Sequence, residues 1–273
     1  MNRREQLQYL NQFLLAEMPQ FQEQADAVPD DNISQRRLLR SLMNVRPLWP
    51  LSPDFLNIQD ALLSAEALEK GIVDADRLPP VSSDSRLAIW QGDITRLRTD
   101  AIVDADNSAL LGCFVPCHGC IDNAIHTFSG VQLRSACAEL MRQQGHEEQT
   151  GSAKITPAYN LPCKYVLHTV GPIIRGRVTK KDKDLLAACY RSCLNLAEQN
   201  GVRSIAFCCI STGEFHFPNR EAAEIAVETV QKYRKESGSQ IKVIFNVFKE
   251  IDYNIYRELL AADRTSEKRV RNV

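Results

Sequence analysis

Side chains that can bind a metal ion or carry out acid–base chemistry are concentrated between residues 112 and 126. This stretch contains three cysteines, two histidines and one carboxylate, namely Cys113, Cys117, Cys120, His118, His126 and Asp122. A catalytic zinc ion takes three protein ligands of these kinds and keeps a fourth position open. We therefore treat residues 112–120, called the cysteine loop below, as a candidate metal site.

The spacing within the cysteine loop permits more than one set of ligands. Cys113, His118 and Cys120 would supply two thiolates and an imidazole, because His118 and Cys120 are two residues apart and Pro116 can fold the chain back. Cys117 competes for a ligand role, since it forms a C-x-x-C pair with Cys120, the spacing of a zinc knuckle or a redox pair. Packing without any chemistry is the third possibility. The spacing alone leaves all three open.

Asp122 and His126 follow the cysteine loop in a helical pattern. As an N-terminal cap, Asp122 would accept hydrogen bonds from free backbone amides. Beside a metal ion, it could orient water or contact a substrate hydroxyl, and the two roles can coexist. His126 lies eight residues beyond His118, and helical register should turn it into the protein interior.

A second loop, called the serine loop below, combines small residues with one carboxylate: Ser211, Thr212, Gly213, Glu214 and Phe215. Its backbone amides could converge on an anion, with favourable potential from the N-terminus of the next helix. Taken alone, this loop is better explained as a plain tight turn than as an anion site. Gly92, Asp93 and Ile94, which follow an earlier strand, are equally weak evidence of ligand binding. Together with the cysteine loop, these features predict a nucleotide-like ligand.

Alternating strands and helices must position these loops. Apolar, β-rich runs predict strands at 87–95, 100–104, 151–157, 165–170, 204–210 and 241–248. Helical patterns fill most of the intervals between them. Such alternation is typical of an α/β fold with a largely parallel or mixed central sheet.

The N-terminal part of the chain differs from the rest. Residues 1 to about 82 show helical periodicity, and the composition changes at the proline- and serine-rich stretch 78–84. We expect a helical extension of residues 1–82 packed on a main domain of residues 83–273, whose core spans about 87–262. A dedicated module for docking a partner is the alternative for the extension.

The composition is that of an ordinary globular protein. Of the 273 residues, 44% are hydrophobic and 25% charged, and 33 basic against 34 acidic residues give a formal net charge of −1. No strong global field would attract nucleic acid or an anionic membrane. No apolar run approaches the roughly 20 residues of a membrane span, and the polar N-terminus lacks the apolar region of a signal peptide. With nine cysteines, an odd number, we expect a cytoplasmic protein with reduced thiols.

Five motifs in this order resemble the macrodomain family, specifically its zinc-dependent ADP-ribosylhydrolase branch. They are Gly92-Asp93-Ile94-Thr95, Asp106-Asn107-Ser108, Asn123-Ala124-Ile125-His126, residues 165–172 (Y-V-L-H-T-V-G-P) and Ile210-Ser211-Thr212-Gly213. The resemblance covers about residues 87–260. It implies a three-layer α/β/α fold with a mixed central sheet that binds ADP-ribose at its strand ends. The helical extension is also similar to one that this branch carries.

The cysteine loop replaces a run of glycines that most hydrolytic macrodomains carry. It resembles the loop of the zinc branch, whose pattern is G-C-F-x-P-x-H-x-C-I-D-N. This resemblance implies one zinc ion per chain, held by Cys113, His118 and Cys120. It also implies that Cys117 is a bystander at a variable position.

The resemblance implies further roles, residue by residue. Asp93 should accept from the adenine amino group, with the backbone of Ile94 adjacent, and the serine loop should wrap the diphosphate. Asn107 should contact the distal ribose and take part in catalysis. The pocket should be completed by the backbone around Cys120, Ile121 and Asp122.

The implied reaction is hydrolysis of the bond between the distal ribose and a modified protein side chain, which releases mono-ADP-ribose. Zinc could polarise the leaving oxygen or lower the pKa of a bound water to about 7, and Asp122 could orient or deprotonate water. The alternative is a non-catalytic macrodomain that only reads ADP-ribose. The implied partner is a lipoyl-carrier protein modified by a sirtuin-like ADP-ribosyltransferase.

Overall fold

A seven-stranded β-sheet lies at the centre of the computed structural model, which describes residues 1–270 and the side chains of residues 1–261. The described part of the chain contains nine strands: β1 (Val73–Asp74), β2 (Pro80–Val81), β3 (Asp84–Gln91), β4 (Leu97–Arg98), β5 (Ala101–Asp106), β6 (Ala153–Pro157), β7 (Tyr165–Val170), β8 (Ser204–Phe207) and β9 (Lys242–Val247). The same range contains nine α-helices: α1 (Arg3–Glu17), α2 (Gln22–Asp26), α3 (Asn32–Val45), α4 (Pro53–Lys70), α5 (Ile121–Ser129), α6 (Val131–Gln144), α7 (Lys180–Gln199), α8 (Asn219–Ser237) and α9 (Glu250–Val270).

The central sheet is mixed, with the strand order β2-β3-β9-β8-β5-β7-β6. The five inner strands pair in parallel, whereas β2 and β6 run antiparallel to β3 and β7 at the two edges. Parallel strands end at the same edge of a sheet, which is where open α/β folds bind ligands. The loops after β3, β5, β8 and β9 therefore meet on one side of the molecule.

Helices cover both faces of this sheet. Adjacent residues of a strand point to opposite faces, and in β7 His168 lies against Cys137 of α6, whereas Thr169 lies against Cys189 of α7. Helix α5 packs beside α6 on the first face, and α8 and α9 continue the layer that α7 begins. The expected three-layer α/β/α fold with a mixed central sheet and N-terminal helices is confirmed.

The N-terminal helices have an apolar core of their own. Helix α1 packs against α3 and α4, and the side chains buried between them include Leu7, Leu10, Leu14, Leu39 and Phe55. A second, larger cluster of buried apolar side chains fills the space around the central sheet. Across residues 1–270, no helix is both long enough and apolar enough to cross a membrane.

Side-chain caps define where three of these helices begin. Asn2 Oδ1 accepts from the Glu5 amide at 3.0 Å while the Glu5 carboxylate accepts from the Asn2 amide at 2.8 Å, which forms a capping box at α1. Asp31 caps α3 through two backbone amides, and Ser52 caps α4, whose first residue is Pro53. Each such cap contributes about 1 kcal/mol of helix stability.

Residues 73–81 depart from the helical pattern expected up to residue 82. Helix α4 ends at Gly71, whose φ of +79° favours glycine. Two short strands, β1 and β2, follow it within the predicted helical extension, and β2 joins the edge of the central sheet. Pro79 and Pro80 exclude a helix at β2, because proline lacks the amide hydrogen that a helix interior requires.

Candidate functional site

Three candidate ligands of the cysteine loop come together in space. The Sγ atoms of Cys113 and Cys120 and a ring nitrogen of His118 all lie within 4.8 Å of one another. The distance between Cys113 Sγ and His118 Nδ1 is 3.5 Å. Tetrahedral zinc, with bonds of about 2.3 Å to sulfur and about 2.0–2.1 Å to nitrogen, separates such donors by about 3.6 Å. The donor types and their spacing therefore fit a zinc ion with three protein ligands.

Cys117 points out of this cluster towards the N-terminal helices. Its Sγ lies 3.2 Å from the Ser41 hydroxyl, and its thiol donates to the Arg37 carbonyl at 3.5 Å. Its amide donates to Asn44 Oδ1 at 2.9 Å, and its backbone adopts a φ of +53°. The structure therefore does not bring Cys117 together with Cys120 as a ligand pair.

Helix α5 begins directly after the cysteine loop, and Cys120 caps it. The Cys120 Sγ accepts from the Asn123 amide at 3.4 Å, so the interpretation of Asp122 as the cap is wrong. Asp122 is instead the second residue of the helix. Within residues 1–270 no backbone acceptor meets the amides of Ile121 and Asp122, as is usual in the first turn of a helix. These two amides are available to a ligand.

Asp122 is a buried carboxyl with one free oxygen. The residue is 6% exposed, and its Oδ1 lacks a hydrogen-bond partner among the described residues. That oxygen lies 3.6 Å from Nε2 of His126, one helical turn further on. Burial, followed by the nearby Asp106 and Asp104, raises the pKa of Asp122 well above its ordinary value. A carboxyl so placed can hold or transfer a proton beside the cysteine loop.

Four buried titratable side chains form a cluster next to Asp122: Asp104, Asp106, His126 and His168. Asp106 Oδ2 lies 3.2 Å from His168 Nδ1 and 3.9 Å from His126 Nε2. Despite its burial, Asp106 keeps a pKa well below its ordinary value, because His168 hydrogen-bonds to it and the imidazole of His126 lies close by. Burial lowers the pKa of His126, so the cluster pairs an ionised carboxylate with a histidine of reduced basicity.

Both histidines of this cluster lie in the interior, as helical register predicted for His126. The two aspartates were not predicted to join them. Asp104 and Asp106 are two residues apart on β5, and side chains at this spacing point to the same face of a sheet. The alternation of polar and apolar residues along β5 is the signal that could have identified them.

Asn107 shapes the turn between β5 and the cysteine loop. Its Oδ1 accepts from the Ala109 amide at 3.0 Å, and its Nδ2 donates to the Gly112 carbonyl at 3.3 Å. Gly112 has a φ of +79°, and a Cβ there would lie 2.8 Å from Cγ of His126, so the turn requires glycine. Asn107 thus holds the loop in place, and its second Nδ2 hydrogen remains for a ligand.

The serine loop presents backbone amides beside the cysteine loop. A Cβ on Gly171 would lie 2.0 Å from the Ser211 Oγ, so the approach of these two segments requires glycine. In the part of the chain that the structure describes, the amides of residues 213–215 meet no backbone acceptor. Glu214 Oε1 lies 3.7 Å from Nε2 of His118. Because α8 begins beyond the loop, these amides, rather than a helix N-terminus, are the donors that the loop offers to an anion.

An acidic and an aromatic side chain follow the neighbouring strands β3 and β9. Asp93 Oδ1 accepts from the Thr95 amide at 3.0 Å and from its hydroxyl at 2.6 Å, so Oδ2 is left for a ligand. Ile94 is 1% exposed, so only its backbone can contribute. Phe248 follows β9 and is 75% exposed. The sequence pattern did not single it out, although an aromatic residue directly after a buried strand is a usable signal.

Comparison with known proteins agrees with this architecture. The sequence profile of the macro domain matches residues 103–226. A protein-ADP-ribose hydrolase from Treponema medium is 54% identical over 263 residues, which cover 96% of this chain and 100% of that protein. The chain belongs to the macrodomain family.

Two solved structures resemble this macrodomain closely. The Trypanosoma brucei macrodomain in complex with ADP-ribose is 34% identical, with a TM-score of 0.63 over 81% of this chain and 94% of that one. The Oceanobacillus iheyensis macrodomain with ADP is 36% identical, with a TM-score of 0.61 over 68% of this chain and 95% of that one.

The N-terminal helices of this macrodomain hold the cysteine loop from outside. Arg40 Nη2 donates to the His118 carbonyl at 2.9 Å and to Asn123 Oδ1 at 2.6 Å. Asn44, one turn further along α3, accepts from the Cys117 amide at 2.9 Å. A candidate metal ligand and its neighbours are therefore fixed by a helix about 80 positions earlier in the chain.

We expect Arg40→Ala to weaken zinc binding by roughly tenfold to a hundredfold, the scale on which residues that orient metal ligands act. The reason is that the variant releases the His118 backbone and so broadens the positions of its ring. Chelator competition on purified protein measures the affinity, and thermal unfolding of the metal-free protein checks the fold. Arg37→Ala on the same helix is the matched control, and equal affinities in the two variants would contradict the expectation.

Proposed function

We propose that this macrodomain is a zinc-dependent hydrolase that removes mono-ADP-ribose from modified protein side chains. The observation that carries the proposal is the three-ligand cluster of the cysteine loop next to the buried carboxyl of Asp122. A module that only binds ADP-ribose needs neither three metal ligands with a fourth position open nor a buried carboxyl beside them. The activity in the name of the Treponema medium relative supports the same function.

The site offers a partner to each part of ADP-ribose. The free oxygen of Asp93 can accept from the adenine amino group, and the exposed ring of Phe248 can stack on the base. The amides of residues 213–215 can bind the diphosphate. Asn107 and the free amides at the start of α5 then contact the distal ribose. The ADP-ribose bound in the Trypanosoma brucei structure supports this choice of ligand.

The bond that breaks joins the anomeric carbon of the distal ribose to an atom of the modified side chain. Positive charge builds on the ribose as this bond breaks, and the Asp122 carboxylate can stabilise it. Asp122 can also take a proton from the water that adds to the anomeric carbon, while the leaving atom gains a proton. A zinc ion held by Cys113, His118 and Cys120 would supply Lewis acidity beside this bond.

A release assay on a mono-ADP-ribosylated protein tests the proposal. We expect label to leave the protein with time and free ADP-ribose to appear in equal amount, and a strong chelator to stop the reaction. Isothermal titration with ADP-ribose, together with elemental analysis, should be done on the same preparation. Tight binding without release, in protein that contains zinc, would contradict hydrolysis and favour a reader function.

We expect Phe248→Ala to weaken ADP-ribose binding by about tenfold, because a base stacked on an aromatic side chain contributes roughly 1–3 kcal/mol. The ring is largely exposed, so its removal should leave the fold intact. Titration calorimetry with ADP-ribose measures the effect. Phe248→Tyr keeps the ring and should keep the affinity, whereas an unchanged Kd for the alanine variant would exclude stacking at this position.

The finer choice of partner rests on the resemblance of the cysteine loop to the zinc branch of the family. The substrate proposed on that basis is a lipoyl-carrier protein that a sirtuin-like ADP-ribosyltransferase has modified. The nine cysteines, all free in the structure, support a reducing compartment such as the cytoplasm. Release of label from the modified carrier protein tests this assignment directly.

A further inference from the structure

A groove with a volume of about 420 Å³ opens among α3, α4 and α5. Four cationic side chains line it, namely Arg36, Arg37, Arg40 and Lys70. Phe128 of α5 forms part of its wall, and Glu66 and Glu69 complete the lining. We call this feature the basic groove. Apart from Arg40, which holds the cysteine loop, the side chains that line it have no role in the ADP-ribose binding or the reaction described above.

The carboxylates of the basic groove do not neutralise its cations. Glu66 forms a bidentate pair with Arg36, with N–O distances of 2.6 and 2.8 Å, and Glu69 pairs with Arg3, outside the groove, at 2.6 Å. Within the described residues, three lining cations have no carboxylate bonded to them: Arg37, Arg40 and Lys70. The groove is therefore positive in a chain whose formal net charge is −1.

Lys70 lies against the aromatic wall of the groove and within range of two of its arginines. Its Nζ lies 3.0 Å from the centre of the Phe128 ring. Burial lowers the pKa of Lys70, the attraction of Asp93 and Glu66 opposes this, and repulsion from Arg36 and Arg40 adds a smaller lowering. A negatively charged occupant would relieve the repulsion, so the groove is complementary to an anionic partner.

The basic groove reaches the site where the reaction would occur. At one end, Arg40 donates to the His118 carbonyl at 2.9 Å, and the Arg37 carbonyl accepts from the Cys117 thiol at 3.5 Å. A segment of a modified protein that lies at the cysteine loop can therefore continue directly into the basic groove.

We propose that the basic groove docks an acidic segment of the protein that carries the ADP-ribose. This inference rests on the proposed function, which brings the modified side chain to the cysteine loop. The two glutamates in the groove and the net charge of −1 disfavour a nucleic acid, which carries a negative charge at every phosphate. An acidic protein segment can instead place uncharged residues opposite the two glutamates. The groove would thus select substrates by the residues around the modification, separately from the recognition of ADP-ribose.

Two mono-ADP-ribosylated peptides with the same linkage test the proposal. One carries Asp and Glu around the modified residue, and the other carries Asn and Gln instead. We expect the wild-type protein to show a KM about tenfold lower for the acidic peptide, with similar kcat values, and the difference should shrink as salt is added. Arg37→Glu should abolish the difference while the Kd for free ADP-ribose stays unchanged, because the exposed Arg37 side chain lies outside the ADP-ribose site.

Arg191→Glu is the matched control, since it makes the same change of charge on α7, on the opposite face of the sheet. It should keep the preference for the acidic peptide. Equal KM values for the two peptides with the wild type, or a preference that persists in Arg37→Glu, would contradict docking in the basic groove. Neither result would contradict the proposed hydrolase activity. Displacement of the acidic peptide by a short RNA, lost in Arg37→Glu, would assign the groove to nucleic acid and also overturn the proposal.

The proposed function can fail independently of the groove. If the wild type hydrolyses neither peptide, the hydrolase proposal is wrong, and fluorescence anisotropy then measures binding of the same two peptides. Docking predicts tighter binding of the acidic peptide, with the preference lost in Arg37→Glu and retained in Arg191→Glu. Equal binding of both peptides to the wild type would contradict docking as well.

Discussion

Replacement of Cys113 or Cys120 by serine, or of His118 by alanine, will leave the purified protein almost free of zinc. Each change removes one of three donors that lie within 4.8 Å of one another, and the two that remain cannot hold the ion in a nearly tetrahedral site. The loss should exceed the roughly tenfold to hundredfold effect of removing a residue that only orients a ligand. We expect zinc content to fall from about one ion per chain to under about a tenth after dialysis. Elemental analysis measures it.

Cys117→Ser is the control that the loop itself provides. It makes the same chemical change a few residues away, on a thiol that faces Ser41 and the Arg37 carbonyl. Zinc content should stay near one ion per chain. Equal loss of zinc in Cys117→Ser and Cys120→Ser would overturn the assignment of ligands. Circular dichroism on each variant separates loss of the ion from loss of the fold.

Hydrolysis by Asp122→Ala will be slower than by the wild type by a factor of about a hundred or more, the scale of groups that act as general acids or bases. The Oδ1 atom of Asp122 has no hydrogen-bond partner among the described residues, so the change breaks no hydrogen bond at that oxygen. Zinc content and ADP-ribose affinity should therefore be retained. Single-turnover release of ADP-ribose measures the chemical step directly.

Asp122→Asn sharpens this test, because it keeps the shape of the side chain and removes its capacity to take a proton. It should be as slow as the alanine variant. Full activity in either variant, with zinc bound, would mean that the carboxyl takes no part in the chemistry. That outcome would fit a structural zinc site beside a nucleotide pocket. A large rise in the Kd for ADP-ribose would instead assign Asp122 to binding.

Local patterns in the sequence were sufficient to predict the fold class. The β-rich runs of β5 and β7 form buried inner strands of the sheet that pair in parallel. The helical patterns between the strands correspond to the helices that cover it. The errors are local. The predicted strand 204–210 ends as a strand at Phe207, because the chain leaves the sheet there to build the serine loop.

The composition of the candidate site was predictable, whereas its contacts were not. The two loops were evident from residue types and from their places after strands. That Cys117 turns to α3, that Cys120 caps α5 and that Asp104 joins the buried histidines depend on neighbours distant in the chain. Spacing within one loop holds no information about such neighbours. The exposed Phe248 is similar, since only the pairing of β9 with β3 brings it to the same edge of the sheet as Asp93.

The hydrogen bonds between α3 and the cysteine loop have a consequence for the order of folding. Arg40 and Asn123 are 83 positions apart, Arg40 and His118 are 78 apart, and Asn44 and Cys117 are 73 apart. Contacts of such sequence separation form late, because the entropy of closing a long segment is lost before the contact can compensate for it. A loop shaped by these bonds reaches its final form only after the N-terminal helices and the sheet have met. During refolding, uptake of the metal ion would then be the last step, and its rate would report how quickly the two parts of the chain assemble.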